Sequence, residues 1–470
     1  MAREDFYART RDISANRYLS AAESSANLLN GPSSPLTRVR WSICAMLFFA
    51  ASINYLDRQV LGLLAPTLQH SIGWTEAQYG YIVGAFQFAY AIGLILAGRL
   101  VDKLGTRIGY IIIMAFWSAA SMGHALASSA LGFGIARFFL GLGESGSFPA
   151  AIKTTAEWFP QRERSLVTGI FNSGTNIGAI FAPALIPWIT IKFGWRAAFL
   201  TTGLFGAIWI VWWVTRYHSP ENHSRVSPAE LQYIHEGRPQ TTAQIPWSKL
   251  LAYRQTWAFA GAKFLTDPIW YFYLYWLPKF FDARYHLGLG SIGLPLIVVY
   301  NLSAAGSIGG GWLPEAFNKA GMPMAKSRLY AMLICACLIL PIFLAGRVSS
   351  VWSAVGILGL ATAAHQGWSA NLFTTVSDMF PSSSVGAVVG IGGMAGSIGA
   401  VLFSLSTGWV LQSHHGYTPL FSVAAASYLV GLAFLMIVAP GLRRADVPAG
   451  PVRDSEPGGP ASGIEARDAK

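Results

Sequence analysis

The sequence predicts an all-α membrane protein with twelve transmembrane helices in two pseudo-symmetric six-helix halves. Three observations carry that expectation. Of 470 residues, 53% are hydrophobic and only 12% are charged, about half the charged share of an ordinary soluble domain. A bilayer-spanning helix needs roughly 20 apolar residues, and twelve such runs fall near 41–68, 78–100, 107–127, 129–152, 165–189, 195–215, 255–280, 290–313, 328–346, 351–374, 385–411 and 418–439. Finally, an offset of 221 residues places Phe159-Pro160 on Phe380-Pro381, Gly169-Ile170 on Gly390-Ile391, and Ile177-Gly178-Ala179 on Ile398-Gly399-Ala400. The fourth and fifth runs therefore return as the tenth and eleventh, the internal repetition from which many transporters are built.

In chain order, residues 1–40 form a polar tail, 41–215 the first half, 216–254 a polar linker with Pro220, Pro228, Pro239 and Pro246, and 255–440 the second half. A Gly-, Pro- and charge-rich tail at 441–470 reads as disordered. The first apolar run follows 40 mostly polar residues and is too long for a signal peptide, so no cleavable leader is expected. Of the 33 Lys and Arg, 25 lie on the tails and the even-numbered loops, which puts both termini and the linker in the cytoplasm. The formal charge of +11 is spread over those loops instead of gathered on one face, which argues against a nucleic-acid partner. Cys44, Cys335 and Cys337 all fall within spans and suggest neither a disulfide framework nor a metal site.

Ionisable residues inside spans are expensive and mark function. Asp57 and Arg58 are adjacent in the first span, and Arg137 and Glu144 lie seven residues apart in the fourth. Counting about 1.5 Å per residue, Asp57 and Arg137 fall in the same outer half of the bilayer, with Glu144 about 10 Å deeper on nearly the same helix face. An Asp57–Arg137 pair follows as an expectation, either as a static staple between helices or as part of a transport site. Arg58 points about 100° away from Asp57, so it is the expected free donor: a planar guanidinium binds a carboxylate bidentately. The repeat offset sets Glu144 on His365, one titratable group per half.

The link between the second and third spans reads Gly98-Arg99-Leu100-Val101-Asp102-Lys103-Leu104-Gly105-Thr106-Arg107. It resembles the cytoplasmic signature of the major facilitator superfamily, in which Gly98, Asp102, Lys103, Gly105 and Arg107 would form a conformational gate. Within that superfamily the chain resembles the anion:cation symporter branch, and more closely bacterial hexuronate transporters. The residues carrying this are Ile53–Arg58, Ala136-Arg137-Phe138, Gly141–Gly146, Phe148–Ala151, Ala156–Pro160, Phe171–Asn176 and His365–Trp368. The resemblance covers about 41–440. It implies that Asp57 and Glu144 take up protons, that Arg137 partners Asp57, that Arg58 holds the substrate carboxylate, and that Tyr55 and Tyr90 line the sugar site. Where some relatives carry Gln in the fifth span, this chain has Thr175, with Asn172 one turn earlier, which leaves the hydroxyl ligands open.

Two other patterns point away from rival functions. Gly141-Leu142-Gly143-Glu144-Ser145-Gly146 fits G-x-G-x-x-G but follows an apolar helix and not a strand, so the small residues read as helix-packing positions. Gly178-Ala179-Ile180-Phe181-Ala182-Pro183 lacks the Gly-Pro pair of drug-exporting antiporters.

In the second half, Pro268 is expected to break the seventh span, whose Trp270, Tyr271, Tyr275 and Trp276 suit either sugar stacking or an interfacial belt. Lys263 reads as a snorkelling lysine. His365, Gln366, Trp368 and Asn371 are the expected substrate ligands of the tenth span, with a packing role for His365 as the equal alternative.

The expected function is proton-coupled import of a sugar acid, a hexuronate such as galacturonate or glucuronate, across a bacterial inner membrane. No cofactor is expected beyond the coupling proton, and the chain should act as a monomer in the lipid bilayer. A symporter of an aldonate or dicarboxylate, and an uncoupled uniporter or antiporter, are the alternatives. No nucleophile–base set or metal cluster supports an enzyme.

Overall fold

A computed structural model describes residues 37–236 and 247–446. The expectations for most of both tails, and for the linker between 237 and 246, lie outside the described residues. Among the described residues the chain is helical, with no strand.

Helix α1 (Val39–Ile72) is the first span. Helix α2 (Glu76–Gly123) carries the second and third, divided at Gly105, whose φ of 74° is a conformation that costs glycine little. The fourth span is two helices, α3 (Ala130–Glu144) and α4 (Ser147–Trp158), joined at Ser145-Gly146. Helices α5 (Gln161–Phe193) and α6 (Trp195–Arg216) complete the first half. The linker contains α7 (Pro228–His235) and α8 (Trp247–Leu250). The second half is α9 (Arg254–Tyr285), α10 (Gly293–Lys319), α11 (Met324–Ile339), α12 (Val351–Met379), α13 (Ser382–Gln412) and α14 (Thr418–Val438). Each half thus has six spans. Eight of the twelve are long and apolar enough to cross a bilayer on those grounds alone. The other four are the second span, the α3–α4 span, α9 and α12, which between them carry Tyr90, Arg137, Glu144, Lys263 and His365.

The repeat is visible in the backbone. Pro160 (φ −63°, ψ 154°) and Pro381 (φ −65°, ψ 151°) begin α5 and α13 in the same conformation. A Cβ on Gly178 would come within 2.3 Å of the Ser52 carbonyl oxygen, and one on Gly399 within 2.3 Å of the Phe264 carbonyl oxygen. So α5 lies on α1 as α13 lies on α9, and Ser52 corresponds to Phe264. Gly62 and Leu274 share that spacing and touch across the two halves, where a Cβ on Gly62 would lie 2.6 Å from the Leu274 oxygen.

Pro268 does not break its helix: α9 is continuous from Arg254 to Tyr285. The close approach of Gly399 covers the Phe264 carbonyl, the group that loses its hydrogen bond to the missing Pro268 N–H.

The starts of α1 and α9 and the ends of α6 and α14 share one face, the terminal face; Gly73, Gly194 and His286 mark the opposite, far face. At the terminal face α7 is tied to α1, because buried Glu230 accepts from Thr37 Oγ1 (2.5 Å), Val39 N (3.2 Å) and Arg40 Nη1 (3.1 Å). At the far face the halves are latched. Lys279 Nζ donates to Glu76 Oε2 (2.6 Å) and Gln69 Oε1 (2.5 Å), its ammonium lies 4.8 Å from the Tyr79 ring centroid, and the Tyr79 hydroxyl donates to the Tyr275 carbonyl (2.7 Å).

Candidate substrate and coupling site

One hundred degrees of helix rotation sends Asp57 and Arg58 to different neighbours. Asp57 faces the third span, where its carboxylate accepts from Ser121 Oγ (2.7 Å) and Trp117 Nε1 (3.1 Å). Arg58 faces α3, and its Nε donates to Glu144 Oε2 at 2.6 Å, with both side chains buried. The glycines around Glu144 permit this closeness. A Cβ on Gly141 would stand 2.3 Å from the Phe86 oxygen, and one on Gly143 2.8 Å from Trp117 Cβ, so the glycine-rich run is a packing device.

Depth alone pointed to an Asp57–Arg137 pair, yet among the described residues no ion pair joins them. Arg137 donates from Nη2 to the carbonyl of Arg58 (3.0 Å), and its guanidinium lies 5.3 Å from both the Phe86 and the Tyr275 rings. Its Nε and Nη1 are buried without a hydrogen bond. The reason is azimuth: Trp117 and Ser121, one turn apart on the third span, already satisfy Asp57. The ion pair that does form is Arg58–Glu144.

Arg58 is ringed by aromatic faces, with Tyr55 at 4.9 Å, Phe86 at 5.4 Å and Tyr90 at 4.7 Å. Among the described residues its terminal nitrogens make no hydrogen bond, since Nε alone is engaged. Glu144 Oε1 is likewise buried without a partner. The structure thus brings together Tyr55, Arg58, Tyr90, Arg137 and Glu144, with Asp57 one residue away on the other side of α1.

The second half is placed differently. His365 stacks on Trp270 (5.1 Å, 4° between planes) and its Nδ1 is 2.6 Å from the Tyr428 hydroxyl. Glu144 corresponds to His365, and Arg58 to Trp270, so an ion pair in one half matches a ring stack in the other. Trp368 is fully buried and donates to Thr266 Oγ1 (3.2 Å). Asn371 is buried and donates to the carbonyls of Gly310 (2.7 Å) and Gly367 (2.8 Å). Both pack within the second half and are not brought to the Arg58 cluster. Gln366 is half-buried. In α5 the Thr175 hydroxyl donates to the Asn172 carbonyl (2.7 Å), and the Asn172 side chain is exposed. Lys263 does not snorkel; it is 6% exposed and paired with Asp267 at 2.6 Å. The i, i+4 spacing of opposite charges was the sequence signal for that pair.

In the loop between spans two and three, Asp102 accepts from Lys153 in the middle of α4 (3.0 Å), and Arg107 donates to the Val214 carbonyl near the end of α6 (3.1 Å). Gly98 has open space around it, and Lys103 is exposed. The loop therefore ties the second and third spans to the fourth and sixth.

Residues 47–404 match the family model for the Major Facilitator Superfamily. The chain belongs to this superfamily. It is 32% identical to the hexuronate transporter of Escherichia coli (strain K12) over 406 residues, covering 85% of this chain and 94% of that protein. It is 33% identical to the galacturonate transporter of Dickeya chrysanthemi over 287 residues, 60% of this chain and 83% of that one. A crystal structure of a D-xylose–proton symporter superposes with a TM-score of 0.68 at 15% identity, over 86% of this chain and 98% of its own, and shows the shared fold. As a major facilitator, the protein is a multi-pass membrane transporter of a small molecule and not an enzyme.

Proposed function

We propose that this transporter imports a hexuronate, such as galacturonate or glucuronate, together with protons across a bacterial inner membrane. Arg58 carries the reading. Its Nε is held by Glu144 while its two terminal nitrogens are left for a ligand, the bidentate edge that a carboxylate fits. Tyr55 and Tyr90 flank it with ring faces suited to a sugar. The likeness to hexuronate and galacturonate transporters supports the same substrate class.

Coupling follows from charge. While Glu144 is ionised it cancels the charge of Arg58, so an arriving anion meets a neutral pair. Protonated Glu144 leaves Arg58 uncompensated, so proton and anion each favour the binding of the other. Asp57 is the second proton site in this scheme, and Arg137, bonded to the Arg58 carbonyl, is its charged neighbour across α1. The loop of Gly98, Asp102, Lys103, Gly105 and Arg107 acts as the conformational gate. With the terminal face cytoplasmic, the Lys279 latch closes the outside, and the substrate exchanges with the cytoplasm in this state. The protein works as a monomer with the proton as its only coupling partner.

The test is uptake of labelled galacturonate and glucuronate into proteoliposomes, with and without an inward proton gradient, for the native protein and Arg58→Ala. The proposal expects gradient-driven accumulation that the substitution removes. Accumulation of an aldonate or dicarboxylate in place of either sugar would reassign the substrate, and uptake indifferent to the gradient would make the protein a uniporter or antiporter.

A further inference from the structure

The Lys263–Asp267 pair is a second intramembrane ion pair, and the scheme above does not use it. Its ammonium is fixed between Asp267 Oδ2 (2.6 Å) and the ring of Phe373 on α12 (4.3 Å), leaving Lys263 only 6% exposed. Asp267 is the more open partner, with 18% of its side chain accessible. Its carboxylate rests on α13 where Gly396 leaves room: a Cβ there would stand 2.3 Å from Asp267 Oδ2. Lys263 is its sole ion-pair partner among the described residues.

The pseudo-symmetry shows where Asp267 points. Ser52 corresponds to Phe264 and Gly62 to Leu274, so Asp267 occupies the position that Tyr55 holds in the first half, and Trp270 that of Arg58. Helices α1 and α9 run in the same direction and touch at Gly62 and Leu274. Counting back, Asp267 lies about 4.5 Å nearer the terminal face than Arg58. Tyr55 lies 4.9 Å from the Arg58 guanidinium, and Tyr271, one turn beyond Asp267, stacks with Tyr275, whose ring is 5.3 Å from the Arg137 guanidinium. The two charged groups therefore stand on neighbouring helices at the seam between the halves, each with a tyrosine on its own helix beside it.

Resting on the reading of the site as one for sugar acids, we propose that Asp267 is a specificity-determining residue, which accepts hydroxyl hydrogens from the end of the substrate remote from its Arg58-bound carboxylate and excludes molecules with a second carboxylate there. A hexuronate presents hydroxyls at that end, whereas the matching aldarate presents a carboxylate. An ionised Asp267 accepts from the first and repels the second. Lys263 is the positioning residue that holds the carboxylate in place, and Gly396 provides its seat.

The test is competition by unlabelled galacturonate and galactarate, the monocarboxylate and dicarboxylate of one carbon skeleton, against labelled galacturonate uptake into proteoliposomes. In parallel, binding of each to the full-length purified protein is read by intrinsic fluorescence. Asp267→Asn keeps the shape and exposes the Lys263 ammonium, so the preference shifts toward galactarate by roughly tenfold or more. A neutral double variant, Lys263→Met with Asp267→Asn, loses discrimination without acquiring tight galactarate binding, and it serves if the single variant does not fold. Native discrimination retained in the variants overturns the inference alone, as does an equal loss of both ligands in a folded variant. Native protein that binds neither sugar acid overturns the substrate reading, and this inference with it.

Discussion

Replacing Glu144 with Gln separates substrate binding from proton binding. Glu144 Oε2 lies 2.6 Å from Arg58 Nε, so a substrate carboxylate on the terminal nitrogens stands on the order of 5 Å from the Glu144 carboxylate. At an effective dielectric near 20, the repulsion is about 3 kcal/mol, roughly a hundredfold in Kd. The native protein should therefore bind galacturonate tightly at acidic pH and lose about that factor as Glu144 ionises. Glu144→Gln cannot ionise, so its affinity should stay at the tight limit across the range, while proton-driven accumulation is lost and substrate exchange continues. Calorimetric titration of the full-length protein at several pH values reads the first effect, and counterflow in proteoliposomes the second. A variant whose affinity keeps the native pH dependence, or a folded variant that binds at no pH, would refute the competition between Glu144 and the substrate for Arg58.

Three further outcomes are expected. Arg58→Ala strands a buried carboxylate and should destabilise the protein by about 3–5 kcal/mol; adding Glu144→Gln should recover part of the lost thermal midpoint, and no recovery would contradict the pairing. Asn371→Ala removes two hydrogen bonds inside the second half and should lower stability by about 1–3 kcal/mol with the KM for galacturonate unchanged; a raised KM at native stability would make Asn371 a ligand after all. Lys279→Met dissolves the far-face latch, so spin labels at Lys192 and Gly288 should show a longer-distance population than in the native protein, and an unchanged distribution would show that the latch does not hold the halves.

The sequence carried the fold well because bilayer-spanning runs must satisfy their own backbone, which makes each span a long apolar stretch readable one at a time. The repeat was readable for a related reason: Pro160 and Pro381 start equivalent helices, and glycines 178 and 399 make equivalent close approaches. The four charged residues of the first half were also legible, being few and costly in their spans. Their pairing was not. Depth follows from counting residues, but azimuth depends on how each helix is turned against its neighbours, and Trp117 and Ser121, ordinary in an apolar run, decided that Asp57 faces away from α3. The same limit applied to α12, where Trp368 and Asn371 had the chemistry of ligands but pack against Thr266, Gly310 and Gly367. At Pro268 the local rule for a helix break was overridden by a neighbouring glycine that no one-dimensional pattern assigns to that carbonyl.

The central claim, that a sugar acid and a proton enter together through Arg58 and Glu144, is tested most directly by recording the internal pH of proteoliposomes when galacturonate is added outside with no imposed gradient. The account predicts acidification of the lumen by the native protein and none by Glu144→Gln. Galacturonate entering through the native protein while the internal pH stays constant would contradict it.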